Sequence, residues 1–177
     1  MRKERSLWRI HRAVHEPLFF GKGAKNRFDA PEGEFGVLYA GMDAHCAFIE
    51  TFGHSTGIRV VTAAELDVRE LSLLRASRSL RHVDLRAEGL ARMGADAELT
   101  SGPDYPLAQR WARALHDHPA QPDGLIYLAR HDPSRSSVAL FERVAPLLTS
   151  ERLGAPTGPS QTKRLGDILD TYRFGLL

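Results

Sequence analysis

Short apolar segments of strand length, bounded by glycine, proline or polar residues, constrain the fold of this chain more than any other feature. The clearest is VLYAG, which is bounded by Gly36 and Gly41. Apolar runs of this length beside turn-forming residues are typical of β-strands. The same reasoning predicts strands at LWRIHR, RVVTA, ELSLL, HVDL, PDGLIYLAR and SSVALFERV, the last two joined by the turn HDPSR.

Three segments instead have the apolar spacing of amphipathic helices. Asp43 is a suitable N-cap for a helix through AHCAFIETF, and Gly53 can end it. This helix places Phe48 and Phe52 on an apolar stripe and directs Glu50 towards the opposite side. The other two helices are predicted in DYPLAQRWARALHDH and QTKRLGDILDTYRF.

The order of these elements indicates the fold class. Strands outnumber helices and do not alternate with them regularly, which favours an α+β fold over a doubly wound sheet. A length of 177 residues suits one domain. We therefore expect a single domain over residues 1–177, with central antiparallel or mixed strands flanked by helices. Its core should span about 7–150, and its C-terminal helix, about 161–173, should pack on that core or on a partner.

Composition and charge narrow the classes of function. The 24 basic and 22 acidic side chains nearly cancel to a net charge of +2, so direct nucleic-acid binding is not expected. The single Cys46 excludes an internal disulfide and fits a reducing compartment. No apolar run approaches a membrane span, and the start MRKERSLWRI lacks the pattern of a signal peptide. We expect a cytoplasmic protein without a membrane partner.

Arg27, Tyr39 and Glu50 are candidate binding residues. A guanidinium can grip phosphate or carboxylate with its forked donors, although Arg27 can equally be a surface residue paired with Asp29. Tyr39 can stack on a ring, donate its hydroxyl to a substrate, or be a half-buried core residue. Glu50 can hold ribose hydroxyls and stabilise a sugar cation, or it can face solvent. Folded onto one cleft, the three residues can hold an anionic, ring-bearing ligand.

Other catalytic patterns are weak or absent from the sequence. His116 and His118 lie near a predicted helix end, but no HExxH or CxxC spacing accompanies them, so no metal site is expected. The chain has no G-x-S-x-G elbow and no glycine-rich phosphate-binding motif. A nucleophilic triad is therefore not expected.

Six segments along the chain have a distinctive order and spacing: WRI, RFDAPEGEFGVLYAG, AFIETFG, VDLRAEGLARMGADAELTSGPDYPLAQRWARALHDHP, DGLIYLARHDPSRSSVALFERV and ILDTYRFGLL. Together they resemble the RES-domain family, which is named for an arginine, a glutamate and a serine. The resemblance implies a fold related to the ADP-ribosyltransferase toxins. It also implies the toxin half of a bacterial toxin–antitoxin pair, inhibited by an Xre-type antitoxin in a complex that can hold a toxin homodimer.

The resemblance further implies an activity. Such toxins deplete NAD by breaking its nicotinamide–ribose bond with phosphate or water as acceptor, so NAD is a substrate and no cofactor or metal is implied. The family arginine, tyrosine and glutamate match Arg27, Tyr39 and Glu50. Arg27 and Glu50 are then expected to be catalytic, and all three residues to bind the substrate. An alternative activity is transfer of ADP-ribose to a protein or nucleic acid.

One position departs from the family pattern. Relatives have a serine after the apolar strand, whereas here the string reads YLARHD, with Ala129 in its place and Arg130 next. Both residues are expected at the substrate. Ser134, Ser136 and Ser137 are candidates to replace the missing hydroxyl. Otherwise this branch of the family works without a serine hydroxyl, or the site is weakened. A deliberate inactivating substitution at position 129 would also weaken the site. A weakened site would fit a second alternative, a silent module that only binds the antitoxin.

Overall fold

The computed structural model describes residues 6–55 and 57–177 and confirms the α+β fold expected from the sequence. The part of MRKERSLWRI that precedes residue 6 lies outside the described residues. The strands are β1 (Leu7–Arg12), β2 (Val37–Gly41), β3 (Val60–Val61), β4 (Arg69–Ala76), β5 (His82–Asp84), β6 (Gly124–Leu128), β7 (Ser136–Phe141), β8 (Leu148–Gly154) and β9 (Gly175–Leu176). The helices are α1 (Ala44–Phe52), α2 (Ala63–Asp67), α3 (Glu88–Arg92), α4 (Ala97–Ser101), α5 (Tyr105–His116) and α6 (Thr162–Tyr172), with a 3-10 helix at Glu142–Leu147.

Seven of the strands form one mixed sheet, in the order β5-β6-β7-β2-β1-β4-β8. All neighbouring strands are antiparallel except β5 and β6, which are parallel, and β3 and β9 form a separate parallel pair. Helices flank this central sheet, an arrangement consistent with the ADP-ribosyltransferase-like fold. Within residues 6–55 and 57–177, every helix is too short or too polar to cross a bilayer.

The two faces of the sheet have different neighbours. Strand side chains alternate between faces, so Val37 and Tyr39 point to one face and Leu38 and Ala40 to the other. On the Tyr39 face, α5 packs over β6 and β7. On the same face, α1 and α6 pack together beside β1, with Phe48 fully buried. A gap remains between these two groups of helices.

Gly41 allows α1 to lie directly on the sheet. A Cβ atom at this position would stand 2.7 Å from the amide nitrogen of Ala47 and 2.9 Å from the carbonyl oxygen of Asp43. Asp43 is the N-cap of α1 and accepts from the backbone N–H of Cys46 at 2.8 Å, while Gly53 is the C-cap. The predicted start and end of this helix are confirmed, and together they fix the orientation of the helix that carries Glu50.

Two of the predicted strands need correction, and one strand of the seven-stranded sheet was missed. RVVTA is a strand only at Val60–Val61, because Thr62 forms a capping box with Glu65 and starts α2. SSVALFERV leaves the sheet after Phe141, where the 3-10 helix begins. Strand β8 was not predicted, because its sequence LTSERLG is polar and largely exposed at the edge of the sheet.

Candidate active site

A cavity of about 330 Å³ opens in the gap between α1 and the start of α5. Its floor is a row of residues that pair across four strands: Trp8 of β1 with Gly41 of β2, Gly41 with Ser137 of β7, and Ser137 with Tyr127 of β6. Directly paired residues in antiparallel strands point to the same face. The register of the sheet therefore builds the floor from positions that are distant in the sequence.

Arg27 lines this cavity from the loop between β1 and β2. Its side chain is buried, its Nη1 donates to the Gly102 carbonyl oxygen at 2.7 Å, and its guanidinium lies 4.7 Å from the ring centre of Tyr105. Its Nη2 is buried and has no hydrogen-bond partner among the described residues. An unpaired buried donor is costly, and a nearby anion would stabilise the guanidinium electrostatically.

Tyr39 lines the cavity with its ring, while its hydroxyl is bound within the protein. The hydroxyl donates to Asp29 Oδ1 and accepts from the Phe28 N–H, both at 2.9 Å. Burial, with the charge of Asp29, raises the pKa of Tyr39 well above 10. Of the roles expected for Tyr39, ring packing fits this geometry and donation to a substrate does not. The same contacts bear on Arg27. Asp29 accepts hydrogen bonds from Tyr39 and from loop amides, and Arg27 is buried, so the predicted surface ion pair between Arg27 and Asp29 is wrong.

Glu50 lines the cavity from α1, opposite the side of that helix that packs on α6. Its Oε1 accepts a hydrogen bond from the backbone N–H of His131 at 3.1 Å. Burial raises the pKa of Glu50, while the His131 bond and the charges of His54 and Arg27 oppose the rise. The solvent-facing alternative is therefore wrong, since the carboxylate is largely removed from water and held by a backbone donor.

The charges around the cavity favour an anionic ligand. Arg9, Arg27 and Arg130 line it, and Glu50 is the one carboxylate among its described lining residues. Arg9 follows Trp8 in β1, so its side chain points to the opposite face of the sheet, where its Nη1 donates to two carbonyl oxygens of the β1–β2 loop at 2.7 and 3.0 Å. Burial lowers the pKa of Arg9 to about 10, so it stays charged at neutral pH. A ligand with a diphosphate and a locally cationic sugar would match this distribution.

The three candidate serines have different surroundings. Ser134 donates its hydroxyl to Asp132 Oδ1 at 2.6 Å, and Ser136 accepts from Arg86 Nη1 at 3.3 Å. Among these three serines, only Ser137 lines the cavity. Its buried Oγ is therefore the serine hydroxyl of this set that is placed to reach a ligand.

Ala129 and Arg130, the two expected contacts in YLARHD, are separated by the fold. Arg130 is exposed and lines the cavity, whereas Ala129 is only 1% exposed and is not one of its lining residues. The Ala129 N–H donates to the Arg135 carbonyl oxygen at 3.0 Å and helps close the turn that follows β6. The geometry therefore does not favour a direct contact between Ala129 and a ligand.

Cys46 lies beneath the cavity and is not built as a nucleophile. Its thiol is buried, contacts Ser137 Oγ at 3.2 Å and donates to the Ser136 carbonyl oxygen at 3.2 Å. Burial raises the pKa of Cys46 to about 12, so the thiol is neutral at pH 7. Because thiolates rather than thiols attack, this geometry fits a packing role.

Comparison with known proteins decides the family. The protein-family model described as "RES domain" matches residues 6–162 of this sequence. The chain belongs to the RES-domain family. A curated relative named "Probable toxin y4kH", from Sinorhizobium fredii (strain NBRC 101917 / NGR234), is 31% identical over 100 residues. The aligned part covers 56% of this chain and 78% of the relative.

This RES domain also brings to the cavity side chains that the sequence analysis did not single out, namely Trp8, His54, Tyr105, Tyr127 and His131. The tyrosines and the tryptophan add aromatic surface for a ring-bearing ligand. Trp8 and Tyr127 could be recognised only once the register with Gly41 and Ser137 was known. His131 follows Arg130 in YLARHD, and that proximity was the one local signal available for it.

Proposed function

We propose that this protein is a toxin that depletes NAD by cleaving the bond between nicotinamide and ribose. The observation that carries the proposal is the meeting of Arg27, Tyr39 and Glu50 in one cavity whose charged lining is mainly cationic. The volume of about 330 Å³ lies at the small end of the range for ligand sites. The relative named a probable toxin supports the toxin assignment.

In the proposed reaction, an oxygen of phosphate or water bonds to the ribose C1 atom as the bond from C1 to the nicotinamide nitrogen breaks. The electron pair of that bond leaves with nicotinamide, which becomes neutral, and the proton of the attacking group passes to solvent. Because the leaving group is already cationic, no strong general acid is needed. The protein must instead hold the diphosphate, stabilise an oxocarbenium-like ribose and exclude stray water.

The cavity residues divide these tasks in the proposal. Arg27, with Arg130, binds the diphosphate, and the ring of Tyr39 packs against nicotinamide. Glu50 contacts the ribose, where its charge stabilises the developing cation. The raised pKa of Glu50 fits this role, because a carboxylate that is poorly solvated by water responds strongly to a nearby positive charge.

The test is a measurement of NAD loss and of its products with purified protein, with and without phosphate. Formation of nicotinamide and ADP-ribose would identify water as the acceptor. Formation of nicotinamide and ADP-ribose that carries a phosphate on the ribose C1 atom would identify phosphate as the acceptor. Radiolabel from the ADP-ribose half appearing on a protein or nucleic acid would identify the transferase alternative. No consumption of NAD under any condition would overturn the enzymatic proposal and favour the silent antitoxin-binding module.

An enzyme that depletes NAD must be inhibited inside its own host. We therefore also propose that this protein acts in the cytoplasm and is inhibited there by an Xre-type antitoxin. The near balance of 24 basic and 22 acidic side chains fits a chain that reaches DNA only through such a partner. Tight, salt-sensitive DNA binding by the isolated chain would contradict this part of the proposal.

Ser137 is expected to replace the serine that the family has at position 129. We predict that Ser137→Ala lowers NAD turnover by roughly 10- to 150-fold, the range for losing one hydrogen bond to a charged group. Ala129→Ser should change turnover little, because that position does not line the cavity. Steady-state kinetics of both variants, with Ser136→Ala as the matched control, will check this.

The opposite ranking would refute this assignment. If Ala129→Ser raised turnover and Ser137→Ala left it unchanged, position 129 would reach the ligand after all. If Ser136→Ala had the larger effect, the loss would reflect the Arg86 contact outside the cavity.

A further inference from the structure

The turn between β6 and β7, residues 129–135, is held by an array of charged hydrogen bonds centred on Asp132. Arg130 and His131 in this turn line the cavity. Asp132 Oδ1 accepts from the backbone N–H and the hydroxyl of Ser134 at 3.0 and 2.6 Å, and its Oδ2 accepts from Arg135 Nε at 3.0 Å. The carboxylate of Asp132 thus fixes the conformation of the segment that presents two cavity residues.

The same turn is attached to α1 at two separate points. Arg135 Nη1 donates to Asp43 Oδ2 at 2.7 Å, and Asp43 is the N-cap of α1. Farther along α1, Glu50 Oε1 accepts from the His131 N–H at 3.1 Å. The turn and α1 therefore form a closed ring of contacts in which the Glu50 carboxylate is one link.

A third element, α6, is bonded to the centre of this ring. The Tyr172 hydroxyl donates to Asp132 Oδ2 at 2.8 Å. Burial, and then the bond to Asp132, raises the pKa of Tyr172, so the hydroxyl remains a donor at neutral pH. The helix is a firm support, because Leu165 and Ile168 are buried in the cluster that also contains Phe48.

The match to the RES-domain family ends at residue 162, so nearly all of α6, including Tyr172, lies beyond it. The contact between Tyr172 and Asp132 consequently joins a part of the chain outside the family match to the turn beside Glu50.

We propose that Tyr172 is a positioning residue for the active site. Acting through Asp132, it holds the β6–β7 turn so that the His131 N–H stays on the Glu50 carboxylate and Arg130 stays at the cavity. Catalytic groups must be held closely, since small displacements of a reacting or charge-stabilising group cost large factors in rate. The effect on turnover rests on the proposed NAD cleavage, whereas the effect on the turn does not.

The test is Tyr172→Phe, which keeps the ring and removes the donor. We expect kcat for NAD to fall roughly 10-fold, because a displaced turn no longer holds the His131 N–H on the Glu50 carboxylate, and KM to rise as Arg130 moves away from the diphosphate. The amide of His131 should exchange its hydrogen faster, while the Tm stays close to that of the parent protein. Thr171→Val is the matched control on α6, since the Thr171 hydroxyl donates to the Asp167 carbonyl oxygen and contacts His45 Nε2 but not the turn.

Asp132→Asn provides a second, independent variant. Because both substitutions break the same contact, the double variant with Tyr172→Phe should lose less activity than the product of the two single losses. Unchanged kcat with unchanged exchange at His131 in Tyr172→Phe would overturn the proposal. So would a kcat loss that only follows a lower Tm. If the parent protein cleaves no NAD, the proposed function fails, while the exchange rate at His131 still decides whether Tyr172 holds the turn.

Discussion

Glu50→Gln is expected to lower NAD turnover by roughly 100-fold or more, comparable to the loss of one electrostatic stabiliser of a transition state. Glutamine keeps the size of the side chain and can still accept from the His131 N–H, but it has no charge to stabilise a sugar cation. The measurement is kcat and KM for NAD with purified protein. Glu88→Gln is the control, because Glu88 is 82% exposed in its side chain and pairs with Arg92 on the surface.

The same substitution should not destabilise the fold. The pKa of Glu50 is raised in the folded protein, so the folded state binds its proton more tightly than the unfolded state does. Stability from this group is therefore fully present below the unfolded pKa and is lost as the pH rises through the folded pKa. At pH 7 the ionised Glu50 is unfavourable for folding, and Glu50→Gln should match or exceed the Tm of the parent.

The pH dependence of activity has the opposite direction. If the ionised carboxylate is the active form, turnover should fall as the pH is lowered through a value above 4.5, the ordinary pKa of glutamate. The pH profile of stability and the pH profile of turnover together test the role of Glu50. A Glu50→Gln protein that is folded and consumes NAD at a near-normal rate would remove Glu50 from the mechanism, and a Tm loss at pH 7 would contradict the burial argument.

The parts of the fold that could be predicted have local signals. The ends of α1 follow from Asp43 and Gly53, whose side-chain and backbone preferences act within a few residues. Strand β2 is recognisable because VLYAG is apolar and ends in glycine. The failures have non-local causes. Strand β8 exists because it pairs with β4 at the sheet edge, which the polar run LTSERLG does not reveal.

The candidate site depends even more than the fold on contacts between distant parts of the chain. Arg27, Tyr39 and Glu50 could be grouped only through the family resemblance, since their meeting depends on pairing of strands and docking of α1. The choice among the serines depended on register: Tyr39 pairs with Ala139, and therefore Ser137, two residues away, shares its face. No local pattern contains that information.

The buried Nη2 of Arg27, which has no hydrogen-bond partner within residues 6–55 and 57–177, leads to the last expected result. Arg27→Gln should reduce kcat/KM for NAD by roughly 100-fold or more, because a hydrogen bond to a charged group and the attraction of the charge itself are both lost. Arg27→Lys should fall between this variant and the parent, since an ammonium restores the charge but not the forked donors. Arg92→Gln, on the exposed partner of Glu88, is the matched control.

Binding of ADP-ribose separates the role of Arg27 in holding the ligand from any role in the chemical step. A ligand at 100 times its Kd stabilises the folded state by about 2.7 kcal/mol, which raises the Tm of a domain of this size by about 5–10 °C. The parent protein and Arg92→Gln should show this shift, and Arg27→Gln should show little of it at the same concentration. Because the Arg27 side chain is buried against Tyr105 and Gly102, the unliganded Tm of each variant must be measured as its own reference. A full Tm shift in Arg27→Gln, with kcat/KM close to that of the parent, would show that the diphosphate is held elsewhere. Arg130 would then be the remaining cationic side chain of the described cavity lining that is able to bind it.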